Sequence, residues 1–112
     1  MKKRIIQESV PGRQVTIAHI VAQPQPELYT KIGLSEHSGQ ALGILTITPG
    51  EGAIIAADIA AKAGPVNVAF MDRFSGAVML TGEIAAVEVA LEAVLKALNQ
   101  RLKITSTAIT KT

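Results

Sequence analysis

Residues 41–82 read ALGILTITPGEGAIIAADIAAKAGPVNVAFMDRFSGAVMLTG, and this stretch decides the fold. Leu42, Ile44, Leu45 and Ile47 form an apolar, partly β-branched run, short enough for a buried strand. Thr48-Pro49-Gly50-Glu51 then reads as a helix start. Thr48 is a good N-cap, Pro49 fits N1 because its missing N–H would have been unpaired anyway, and Glu51 falls at N3 of a capping box. Gly50 at N2 is the weak position of that start. Ile55 and Ile59 are four apart on one helix face, and Gly64-Pro65 stops the helix. Val66, Val68 and Phe70 alternate with Asn67, Ala69 and Met71, the period of a strand. Asp72-Arg73-Phe74-Ser75-Gly76 holds turn residues, and Ala77 to Leu80 resume the apolar pattern. Two strands this close pair most simply as an antiparallel hairpin.

Towards the C-terminus, Ile84, Val87, Leu91, Val94 and Leu98 recur at three and four residues, a continuous apolar stripe that packs a helix on the sheet. Glu88 and Glu92 lie on the other side, with Lys96 four residues beyond Glu92 in the favourable order. Leu102 to Thr112, rich in Ile and Thr, reads as a strand. Towards the N-terminus, Val15 to Ala22 alternates. Val15, Ile17, His19 and Val21 share one face, and Thr16, Ala18, Ile20 and Ala22 the other. Pro24-Gln25-Pro26 ends that strand and prepares a short helix from Pro26 to Ile32, stopped at Gly33. Ser35 to Gln40 is a polar loop. Ile5 to Val10 fits a short strand, with Pro11-Gly12 as turn punctuation.

A chain of 112 residues is naturally one domain. Aromatics are 3% of residues, so small and β-branched side chains supply most of the 48% that is hydrophobic. Ala-rich helices approach closely but bury little area each, which predicts stability gained through self-association. The net charge of +2 is scattered, with Lys2, Lys3 and Arg4 the one basic cluster. That pattern lacks the basic stripe of a nucleic-acid interface. Cysteine is absent, which removes disulfides and thiol chemistry. No apolar run approaches the roughly 20 residues of a membrane span. The N-terminus lacks a signal-peptide core. The expectation is a soluble, cytoplasmic protein with neither nucleic acid nor membrane as partner.

Chemistry is sparse. A lone His on a strand, such as His19, is more often a hydrogen-bonded structural residue than a base, and His37 in its loop reads as solvated. Neither has a second ligand at metal spacing. Asp58, Asp72, Glu83 and Glu88 are separated by elements and form no acid–base pair. Thr48-Pro49-Gly50-Glu51-Gly52 lacks the lysine of a phosphate loop, and no nucleophile elbow frames any serine. No enzyme, metal or cofactor is indicated. Read on their own, Lys62 complements a helix dipole and the 72–76 loop is a hairpin turn with Phe74 packed in an interface.

The order of these elements resembles the bacterial microcompartment shell domain. The matching pieces are Lys62-Ala63-Gly64, Val66 to Phe70, Ser75-Gly76 and Gly82-Glu83-Ile84-Ala85-Ala86-Val87. Val15 to Val21, Pro24 and Glu27 to Ile32 resemble the strand, proline and short helix with which ordinary shell domains end. Here they come first, the order of the circularly permuted PduU/EutS class. The resemblance implies an α+β fold, an antiparallel sheet flanked by helices over residues 13–112. It also implies an N-terminal tail, residues 1–12, in which Ile5, Ile6, Gln7, Glu8, Ser9 and Val10 form one strand of a β-barrel capping the centre of a hexamer. Lys62 would be the lysine at the hexamer edge. Asp72, Arg73, Phe74, Ser75 and Gly76 would ring the central pore, where Phe74 replaces a glycine and makes the opening narrower and less polar. Gly39, in a linker, could permit a bent rather than flat ring. The implied function is a structural shell tile. Its partners are its own copies, other shell proteins and the terminal segments of encapsulated enzymes. The rival expectation is a small oligomeric α+β regulator that binds a metabolite between subunits.

Overall fold

The computed structural model describes residues 12–112. The elements, in order, are β1 (Gln14–Val21), α1 (Pro26–Lys31), a 3-10 turn (Ser35–His37), β2 (Ala41–Thr48), α2 (Gly52–Ala63), β3 (Asn67–Asp72), β4 (Ala77–Gly82), α3 (Ile84–Leu102) and β5 (Thr110–Lys111). The sheet order is β3-β4-β2-β1-β5. The expected hairpin is β3–β4, paired antiparallel from Asn67↔Thr81 to Asp72↔Ala77. β2 lies at the centre, antiparallel to both β4 and β1. Four strands are thus antiparallel, and β5 adds a short parallel edge beside His19 and Ile20. The strand read from Leu102 to Thr112 shrinks to Thr110–Lys111: α3 takes Leu102, and between them only Thr105 bridges to Gln14 of β1.

One face of the sheet carries α2 and α3. Val87, Ala90, Leu91, Val94, Leu95 and Leu98 of α3 are buried against Ala18, Ile20, Leu45, Ile47, Val78 and Leu80. Ile84, expected in that stripe, is 39% exposed. It is the first residue of α3, ahead of the stripe that begins at Val87. The other face is covered in part by α1 and the loop after it, where Tyr29, Leu34 and Leu42 form a second cluster. Burial pushes the Tyr29 phenol pKa up. Its hydroxyl donates to the Gln40 carbonyl at 2.5 Å.

Small residues set the spacing. A Cβ on Gly43 of β2 would lie 2.8 Å from Val87 Cγ1, and one on Gly52 would lie 2.8 Å from Ile47 Cγ2. α2 buries Ala53, Ala56 and Ala60, while Ile54 and Ile55 remain 45% and 43% exposed. Ile55 therefore lies off the core face, while Ile59, four residues on, is half-buried and packs against the core. The short alanine face lets α2 sit close to the sheet, and Ile54 and Ile55 are left for another surface.

Two local expectations are corrected. The capping box at Thr48 and Glu51 does not form. β2 continues through Thr48, α2 starts at Gly52, and Glu51 occupies the N-cap without a side-chain bond. Backbone bonds from Gly52 to Pro49 and from Ala53 to Gly50, both 2.9 Å, close the first turn instead. The alternation in β1 breaks as well. A register shift between Val15 and Ile17 turns Val15 to the same core as Ala18 and Ile20, leaving Ile17 48% exposed.

The C-terminal segment is tied across the β1 edge. His19 Nδ1 and Nε2 lie 2.6 and 2.9 Å from the hydroxyls of Thr110 and Thr112, the structural role expected of a lone strand histidine. Lys111 pairs with Glu88, which is thus not simply on a solvated face. α3 ends with Lys103 in the left-handed region (φ 58), and the Ile104 N–H reaches back to the Leu98 carbonyl at 3.1 Å. A lysine pays a steric penalty there that glycine does not. Lys103→Gly is expected to raise stability by about 1 kcal/mol, read as a higher urea midpoint at matched protein concentration.

Candidate functional site: a clamped loop and a helix-end lysine

The loop between β3 and β4 is fixed by its own polar groups. The Phe74 N–H donates to Asp72 Oδ1 and the Ser75 hydroxyl to Asp72 Oδ2, each at 2.9 Å. The Ala77 N–H donates to Ser75 Oγ at 3.3 Å, and the Gly76 N–H to the Asp72 carbonyl at 2.8 Å. These donors favour the charged carboxylate and hold Asp72 below the usual aspartate range, with the Phe74 N–H the largest cause.

The loop is also pressed against β2 and the turn that follows it. Gly76 has φ +79, and a Cβ there would lie 1.9 Å from the Ile47 carbonyl oxygen. A Cβ on Gly50 would lie 2.1 Å from the Arg73 carbonyl oxygen. Gly50 is therefore required by close backbone approach rather than being a weak helix position. The result is an outward-pointing tip. Phe74 is 84% exposed, with the Arg73 guanidinium 5.0 Å from its ring centroid. Within the subunit Phe74 packs in no interface.

Lys62 stands on the last turn of α2. Its Nζ lies 2.9 Å from Asp58 Oδ2, and both side chains are well exposed, at 74% and 60%. Such a pair one helical turn apart contributes a few tenths of a kcal/mol at most. β3 joins this end of α2 to the loop. Along that flank Val68, Phe70 and Met71 are each about two-fifths exposed, comparable to Ile54 and Ile55 of α2.

His37 departs from its solvated reading. Its Nδ1 lies 3.1 Å from the Thr81 hydroxyl, and Thr81 is fully buried. The histidine thus satisfies a polar group beneath the α1 layer. Among the described residues no group of three His, Cys, Asp or Glu side chains could hold a metal ion. Nor is any described helix long and apolar enough to cross a membrane.

The family model described as "BMC domain" matches residues 41–112, more than half of the chain. The chain belongs to the BMC-domain family. Its curated relatives are bacterial microcompartment shell proteins. It is 52% identical to PduU of Salmonella typhimurium, over 97% of this chain and 93% of the relative. It is 50% identical to EutS of Escherichia coli K12, over 98% and 97%. A solved structure titled "CutR flat hexamer, form 1" superposes with a TM-score of 0.86 at 44% identity, covering 98% of this chain and all of the other. The BMC-domain sheet and helices described above are thus those of a shell fold.

In this BMC-domain chain, the five residues of the predicted pore loop form one continuous, rigid turn. Lys62 lies apart from them, at the other end of β3. Ile5, Ile6, Gln7, Glu8, Ser9 and Val10 lie outside the described residues. The sequence reading missed Gly50, whose role depends on a loop more than twenty residues away. It missed the His37–Thr81 contact for a similar reason, since nothing local marks Thr81 as buried.

Two outcomes are expected. Gly76→Ala should destabilise the fold by about 2 kcal/mol or more in urea denaturation, because strain and a carbonyl clash coincide. Asp72 has a depressed folded pKa, so its contribution is complete above the ordinary aspartate pKa and is lost as pH falls through the lower folded value. The Phe74 amide resonance should therefore hold still through the mildly acidic range and shift only below that of a free aspartate. Asp72→Asn should abolish that transition.

Proposed function

We propose that the chain forms a homohexameric tile of a bacterial microcompartment shell and is not an enzyme. The observation that supports this reading most directly is the geometry of β3. Lys62 lies just before the strand and the 72–76 loop just after it. Six residues of strand span about 20 Å. A wedge-shaped subunit with the lysine at its rim and the loop at its centre needs a radial element of that kind. The exposed Val68, Phe70 and Met71 along it are suited to meeting a neighbour. The hexameric CutR structure is a precedent in a relative.

In this reading Lys62 leaves Asp58 to pack across the edge between tiles, and six 72–76 loops surround the centre. Residues 1–12 form a tail whose Ile5 to Val10 strands join as a barrel over the opening. Residues 13–112 are a circularly permuted shell domain. The family match begins at Ala41, while β1 and α1, which precede it, supply the strand and short helix that close an ordinary shell domain. Other shell proteins and the terminal segments of encapsulated enzymes are its partners.

Light scattering on the full chain and on a chain lacking residues 1–11 tests this. A hexamer mass in both is expected, with the tail a cap and not the glue. A trimer or monomer at high concentration would overturn the tile and favour a metabolite-binding regulator. Lys62→Ala should stay hexameric yet fail to form the extended sheets that are expected of the parent, both read by electron microscopy. Sheets of unchanged extent would remove Lys62 from the edge.

A further inference from the structure

Helices α2 and α3 pack side by side, and a groove between them opens to solvent. Ile55 and Ile59 of α2 and Ala97 and Leu102 of α3 line it, around a volume of about 160 Å³. Asp58 and Arg101 stand at the same groove, one from each helix and opposite in charge. Both are exposed, and they are not paired with each other. Asp58 holds Lys62 of its own helix, while among the described residues Arg101 pairs with no carboxylate. The groove therefore offers an apolar floor between an acid on one rim and an uncommitted guanidinium on the other.

A groove charged in this way complements itself. A second copy, rotated two-fold about the line of the groove, lays its α2 over this α3 and its α3 over this α2. Each Asp58 then faces the other copy's Arg101, and the apolar walls meet between the two pairs. A two-fold axis across the groove would set like charge on like. A foreign helix would have to bring a matching acid and base of its own, whereas a second copy carries them already. Size decides what kind of association this is. A stable pair of proteins buries about 800 Å² on each side. Of the apolar groove residues only Ile55 is exposed, at 43%, so one such contact falls short of holding two single chains. A ring repeats the contact, and repeated weak contacts add up as avidity.

We infer that the α2–α3 groove is a two-fold contact between rings, in which Asp58 exchanges Lys62 for the Arg101 of a copy in the neighbouring ring. This rests on the proposed tile, and it supplies what that reading needs when Lys62 leaves Asp58. The exposed Asp58–Lys62 pair is weak and is readily given up. A guanidinium offers a carboxylate two parallel donors, which an ammonium does not.

Charge exchange between separately assembled rings tests the contact. Asp58→Arg leaves the groove with positive charge on both rims, and Arg101→Asp leaves it with negative charge on both. Each variant should keep the parental ring mass in light scattering, because both side chains are exposed. Association of rings is read by sedimentation velocity at low salt. Parent rings should associate, and either variant alone should do so about tenfold or more weakly. An equal mixture of the two variants should associate as the parent does, since each positive groove then meets a negative one. Mixing cannot repair a pair made within one subunit, so rescue assigns the pair to two copies. Variants that associate like the parent would overturn the inference, and so would parent rings that stay apart. A mixture no better than its components would overturn it too, the result expected if Arg101 serves its own Asp58 or the groove receives a helix of another protein. A parent that is not hexameric but shows rescue on mixing would sink the tile and leave the groove contact standing.

Discussion

The central strand β2 must be covered on both faces and paired on both edges, and most of the structure follows from that requirement. Gly43 lets α3 come down onto it, with Val87 where a side chain would otherwise be. Leu45 and Ile47 face the helices, and Leu42 faces Tyr29 and Leu34. A larger residue at Gly43 would lift α3 and open the layer that buries most of the core. Packing at this density makes a core from Leu, Val and Ala sufficient where aromatics are few.

The same economy explains what is left outside. Helix α2 turns its alanines to the sheet and keeps Ile54 and Ile55 exposed. β3 forms an open edge with three large apolar side chains half in water. Such a subunit satisfies its core and leaves its flank unsatisfied. Larger assembly is the usual remedy for a surface of this kind. The loop, the lysine and the flank are therefore best understood as one surface. The contacts inside the subunit shape it, and its neighbours complete it.

Much of this was legible in the residues. Periodicity located the β3–β4 hairpin and α3, and Gly33 and Gly64 marked where helices stop. What was not legible depended on contacts between distant segments. Thr48-Pro49-Gly50-Glu51 carries a good capping signal, but β2 claims Thr48 for the sheet, and the local preference loses to the ladder. Val15 alternates correctly with Ile17 and His19, yet a bulge reverses its face. The 72–76 turn was visible as a turn, whereas its close seating against Gly50 was not, because no spacing rule connects those two positions. His19 was legible as structural, and its partners Thr110 and Thr112 were not.

Those partners carry one more implication, about the order in which the fold is completed. His19 and Thr110 stand 91 residues apart in the chain, and the backbone at Ile20 and Ala22 bonds to Thr112. Contacts of such separation form late, because the entropy of closing the long loop is paid before they reward it. During synthesis β1 can find β2 early, while its other edge waits for nearly the whole remaining chain. For that interval the nascent domain carries an uncovered strand edge. The closing step is therefore the one most sensitive to crowding by sister chains.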